Sequence, residues 1–142
     1  MGQAAMADFA QADGSTAGQR LYLQKGLRGI RGEVADGLPA VANISLPAFE
    51  EGLARGYSQH RAAASALIQL IAQVEDSNLY HRGGEEGAAF AKEAARALGD
   101  FPTMAQIEAL DDAFIARNLS PGGCADLLAA THYLYYITGV AL

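Results

Sequence analysis

Apolar residues recur at spacings of three and four along most of the chain after residue 45, which is the period of an α-helix packed on one face. Ala63, Leu67, Leu70, Ile71 and Val74 form a broad stripe. It predicts a helix from Ser58 or Gln59 to about Asp76. A preceding helix is expected from Ser45, as N-cap, to about Arg55, with Pro47 in its first turn and Gly56 as its stop. A third is expected over roughly Glu85 to Leu98, ended by Gly99. A fourth opens at Pro102-Thr103, with Ile107, Leu110, Phe114 and Ile115 on one face, and ends near Asn118. A fifth follows Pro121-Gly122-Gly123 and runs to about Thr138, with Leu127, Leu128, Tyr135 and Ile137 facing inward. Val41 to Leu46 is the one short run that reads as extended.

Upstream, Gln3 to Ala12 and Thr16 to Lys25 read as short helices. Gly26 to Pro39 holds four glycines and reads as an ordered loop. The expected fold is therefore all-α: one domain over residues 1–142, a bundle of about five to six helices broken by three glycine-rich loops. Composition agrees, with 30 Ala against 15 Val, Ile and Thr together. The helix Ala62 to Val74 is apolar around much of its circumference. Its surface is expected to be covered by self-association or by a separate partner.

Charge removes several classes of function. Ten Lys and Arg against sixteen Asp and Glu give a net charge of −6, the wrong footprint for a nucleic-acid binder. A polyanionic ligand would need a local arginine cluster or a metal ion. The single cysteine, Cys124, has no partner for an internal disulfide, and Met1 to Phe9 has neither the basic nor the apolar part of a secretory leader. Ala125 to Leu142 is apolar but contains Asp126 and His132, which predicts a core helix and not a membrane span. A cytoplasmic protein is expected.

Nine of the 16 glycines fall at positions 26–37, 83–87 and 122–123, and three motifs are built around them, each with charged or amide side chains. In the first, Gly26 to Val34, Arg28 and Arg31 lie three apart on a flexible backbone and could converge on one phosphate. Glu33 there could orient an arginine, bind a metal ion or act as a base. In the second, residues 74 to 84, Glu75, Asp76 and Asn78 stand at the expected end of an apolar helix, where the dipole disfavours acids unless a cation answers them. Oxygen ligands of this kind suit Mg²⁺ carrying a phosphorylated substrate. His81, Arg82, Gly83 and Gly84 follow, where backbone N–H groups could meet an anion. In the third, residues 117 to 128, Asn118, Ser120, Gly122 and Gly123 precede Asp126, a carboxylate entering an apolar helix. Ser120 and Pro121 also suit plain helix-start chemistry, and a surface ion pair would account for the acids. Together the three clusters suggest a site for a metal-bound phosphorylated ligand.

The motifs Gly-Ile-Arg-Gly-Glu-Val, Glu-Asp-Ser-Asn with His-Arg-Gly-Gly, and Arg-Asn-Leu-Ser-Pro-Gly-Gly with Ala-Asp-Leu-Leu, in this order, resemble the triphosphoribosyl-dephospho-CoA synthases over about residues 20 to 138. Those enzymes make the prosthetic-group precursor for the acyl carrier subunits of citrate lyase and malonate decarboxylase. Two positions depart from the family pattern: Ser77 stands where threonine is usual and Cys124 where serine is usual. Family members are roughly twice as long, so the chain resembles their C-terminal half, either as a fragment or as a separately encoded relative. The resemblance implies a transferase using ATP and dephospho-CoA. The ribose 2′-hydroxyl of dephospho-CoA attacks the anomeric carbon of the ATP ribose, adenine leaves, and the triphosphate is retained. It also implies a divalent metal, Mg²⁺, and an N-terminal-half partner or a homo-oligomer. Site residues are assigned on it as Arg28 and Arg31 to phosphate, and Glu75, Asp76 and Asp126 to metal. Glu33, Glu75 and Asp76 are the candidate catalytic carboxylates. Asn78, His81, Arg82, Gly83, Gly84, Asn118, Ser120, Gly122 and Gly123 would contact substrate. The alternative is a non-catalytic nucleotide- or CoA-binding helical module.

Overall fold

The computed structural model describes residues 38–141, and every regular element within them is a helix. A π-helical turn, Val41–Ser45, leads into α1 (Leu46–Ala54), followed by α2 (Gln59–Gln73), α3 (Ser77–Leu98), α4 (Met104–Ala116) and α5 (Gly122–Ala141). The expected all-α bundle is observed. The segments Gln3 to Ala12, Thr16 to Lys25 and the whole first glycine cluster, with Arg28, Arg31 and Glu33, lie outside the described residues.

Val41 to Leu46 is helical where the sequence reads as extended. The cause is Pro47. It has no N–H to offer the carbonyl of Asn43, so a regular ladder cannot run through this point. The chain widens by one residue instead, and Leu46 N–H donates to the Val41 carbonyl. Ser45 precedes α1 but does not cap it. Its backbone is helical, and its buried hydroxyl reaches Thr131 in α5 at 2.6 Å.

The other caps follow from local chemistry. Ser58 Oγ accepts from Arg61 N–H at 3.1 Å and opens α2. Thr103 and Gln106 form a reciprocal capping box at α4. The second helix ends at Gln73, earlier than expected, because Asp76 caps a new helix. Thus α3 begins at Ser77, not Glu85, and residues 77–83 are helix where a loop is expected. Gly84, at φ 65°, kinks α3 where the expected helix begins.

Two buried clusters hold the bundle. The larger joins Val41, Leu70, Ile71, Leu79, Ala91, Phe114, Leu119, Cys124 and Leu127. The smaller is Phe49 with Ala48, Ala62 and Ala66, closed by Leu128 and Tyr135. The Phe49 ring stands edge-on to both His132 and Tyr135, each at 5.0 Å between centroids. Two expected inward residues face out: Ile115 is 68% exposed and Ile137 is 46% exposed. The stripe on α5 is used up by Leu127, Ala130 and Leu134 against the larger core and by Leu128 and Tyr135 against Phe49, which leaves Ile137 on the outer side. No helix among the described residues is long and apolar enough to cross a membrane.

Candidate functional site

The second and third glycine clusters meet. Leu79 from the second cluster and Leu119, Cys124 and Leu127 from the third are buried in the larger core and pin both segments to it. Residues 118–122 then lie along the first two turns of α3. Asn78 and Arg82 are four apart, so they share one face of that helix. The Asn78 amide sits against Gly122, where any Cβ would collide with it. Arg82 Nη1 donates to Asn118 Oδ1 at 3.4 Å. Gly83 and Gly87, also four apart, leave a slot filled by Leu119, whose Cδ2 would be 2.5 Å from a Cβ on Gly83. Asn118 takes a left-handed backbone, φ 56°, which lets the chain turn out of α4 and drop Leu119 into that slot.

Asp76 is the centre of the junction. It is 3% exposed. One carboxylate oxygen accepts from the backbone N–H of Asn78 at 2.9 Å and of Leu79 at 3.4 Å; the other accepts from Cys124 N–H at 2.9 Å. A single side chain therefore caps the first turns of α3 and α5, 48 residues apart in sequence. Gly123 lets it approach: a Cβ there would stand 3.1 Å from Asp76 Oδ1.

Glu75 has different partners. Lys92 Nζ donates to it at 2.6 Å and the Tyr80 hydroxyl at 3.1 Å. The Lys92 ammonium is the main force holding its carboxyl below the usual range. Tyr80 and the charge of Arg96 act in the same direction against partial burial. Burial first, and the Glu75 charge second, push the Tyr80 hydroxyl up. The two adjacent acids are thus answered by different groups, one by backbone N–H groups and one by an ammonium.

The remaining expected residues are accessible. His81, Arg82, Gly84, Asn118 and Asp126 are exposed, and Ser120, Gly122 and Gly123 are half-buried. Ser120 is not the residue immediately before α5, a place held by Pro121. Among the described residues no three His, Cys, Asp or Glu side chains are grouped to hold a metal ion. The donor set of Asp76 in particular does not fit one, because its oxygens already receive three N–H groups and are shut from solvent. Sequence reasoning missed Leu119 as the wedge between the motifs. Its signal was an apolar residue inside an otherwise polar run. It also missed Tyr80, which reads as an aromatic core residue inside the second cluster, and Lys92, which lies outside every glycine cluster and gives no local signal.

Fold and site define a small helical protein whose polar, glycine-bearing segments are joined on one surface. Residues 2–141 match the family described as CitG: ATP:dephospho-CoA triphosphoribosyl transferase, and the chain belongs to that family. It is 45% identical over 124 residues to the 2-(5″-triphosphoribosyl)-3′-dephosphocoenzyme-A synthase of Pectobacterium atrosepticum, covering 86% of this chain and 41% of that protein. The probable synthase of the same name from Vibrio cholerae is 46% identical over 127 residues, covering 84% and 40%. That from Citrobacter koseri is 44% identical over 131 residues, covering 88% and 43%. The chain spans about two-fifths of the length of these curated relatives. No solved structure matches it.

Proposed function

We propose that this chain forms part of the active site of a triphosphoribosyl transferase that joins the triphosphoribosyl group of ATP to the 2′-hydroxyl of dephospho-CoA. In that reaction the C1′–oxygen bond to dephospho-CoA forms and the C1′–adenine bond breaks. The proton of the attacking hydroxyl goes to a base, and adenine leaves with a proton. The observation that carries the reading is the junction of two of the three motif segments on one surface, with Arg82 and Asn118 in contact beside His81 and Ser120.

Roles follow from chemistry. Arg82 is an exposed guanidinium suited to phosphate, and Arg28 and Arg31 supply two more on the first cluster. Asn118, Ser120 and Asn78 offer amide and hydroxyl groups to a ribose, with Gly83-Gly84 and Gly122-Gly123 shaping the backbone around it. Glu75, held ionised by Lys92, is a weak base and acts better as a fixed negative charge near a cationic transition state. Glu33 is then the better base. Mg²⁺ would supply charge neutralisation on arriving with the triphosphate; of the three expected ligands Glu75 and Asp126 are exposed, and Glu75 is already paired with Lys92. Positioning two large anions together calls for more surface than the described helices give. An N-terminal-half partner or a second copy completes the site.

The test is adenine release. The purified chain is mixed with MgATP and dephospho-CoA, alone and with the remaining part of a full-length relative. Adenine formed with the complement, and little without it, is expected. No adenine and no ATP binding in either mixture overturns the reading.

A further inference from the structure

We infer that Asp76 is a positioning residue that docks the first turn of α5 onto the first turn of α3, and that it does not ligate metal; the affinity part of this inference rests on the function proposed above. The geometry leaves little room for another role. A carboxylate 3% exposed, with one oxygen on Asn78 and Leu79 N–H and the other on Cys124 N–H, has its acceptor capacity directed at backbone. Gly123 lies so close that a Cβ there would stand 3.1 Å from Asp76 Oδ1. Two helix dipoles point their positive ends at the same charge, so the carboxylate stabilises both starts at once. The consequence reaches the surface. Gly122, one residue before this anchor, lies against Asn78, and Asn118, four residues earlier, meets Arg82. Asp76 therefore sets the spacing between Arg82 and the 118–122 segment without touching a ligand.

Asp76→Ser separates the two caps. A serine keeps one short acceptor for the start of α3 but cannot also reach Cys124 N–H. Amide hydrogen exchange on the full chain should show the Cys124 amide losing protection at least tenfold in Asp76→Ser. Leu79 and the α2 amides Leu70 and Ile71 should be little changed. Asp76→Asn, which keeps one acceptor oxygen and turns a donor toward Cys124, should give the same pattern. MgATP affinity should fall by about tenfold, as expected for a displaced binding group. The Mg²⁺ concentration giving half-maximal ATP binding should stay where it is in the unmodified protein. Unchanged Cys124 protection in both variants overturns the inference, and so does a tenfold shift in the Mg²⁺ requirement. A chain that binds no ATP, yet loses Cys124 protection in Asp76→Ser, overturns the proposed function while supporting the docking role.

Discussion

The hydroxyls of Ser45 and Thr131 meet at 2.6 Å in the core, 86 residues apart and both inaccessible to solvent. Thr131 Oγ1 also donates to the Leu127 carbonyl at 2.7 Å. Its one proton is used there, so Ser45 is the donor and Thr131 the acceptor. This pair ties the π-helical turn to α5.

That polarity predicts unequal costs. Ser45→Ala removes a donor and leaves Thr131 still bonded to Leu127, so a loss of about 1 kcal/mol is expected. Thr131→Val leaves the Ser45 hydroxyl buried with its partner gone and should cost more, about 1–3 kcal/mol. Urea unfolding of both variants decides it; a larger loss in Ser45→Ala contradicts the assignment.

The Gly122 contact gives a second prediction. Gly122→Ala should destabilise by no more than about 0.5–1 kcal/mol, because the new methyl meets the far end of the exposed Asn78 side chain, which must swing aside. Shortening the neighbour in Asn78→Ala/Gly122→Ala should recover much of that loss. Independent, additive effects in a double-mutant cycle would show that the two residues do not touch.

Acid stability should depend on Glu75. Its folded pKa lies below the ordinary value, so the unfolded chain takes up its proton first as pH falls. The stabilisation is present above the ordinary carboxylate pKa and is lost as pH falls through the depressed folded value. The side chain is 49% exposed, so the effect is that of a screened surface pair, about 0.2–1 kcal/mol. In unfolding free energies measured from pH 6 to pH 3, Glu75→Gln should flatten part of the acid limb, and added salt should shrink the difference. An identical limb in both proteins would remove Glu75 from the account.

Ligand binding should depend on arginine more than folding does. Arg82→Ala loses one exposed hydrogen bond to Asn118, so its unfolding midpoint should move little. If Arg82 holds phosphate, MgATP affinity should fall about 10- to 150-fold, the equivalent of about 1.5–3 kcal/mol. Arg28→Ala and Arg31→Ala should behave likewise. Calorimetry with a parallel thermal scan checks all three. A variant with a clearly lowered midpoint and normal ATP affinity marks that arginine as structural.

The sequence by itself determined the helical class, the places of α2, α4 and α5 to within a few residues, and which three segments carry polar chemistry. These are local matters: a 3.6-residue apolar period, Ser58 and Thr103 as caps, glycine at the breaks. Tertiary structure decided what the chemistry is used for. Asp76 reads in sequence as an acid at the end of a helix. It is the cap of the next one and of another 48 residues on, because the core brings Cys124 N–H to its second oxygen. Gly83, Gly122 and Gly123 read as ligand-approach positions, and each also admits a neighbouring side chain, Leu119, Asn78 or Asp76. Period and propensity report a residue's relation to its own helix. Whether a buried carboxylate faces a cation, a ligand or a backbone N–H depends on which distant segment the core places beside it.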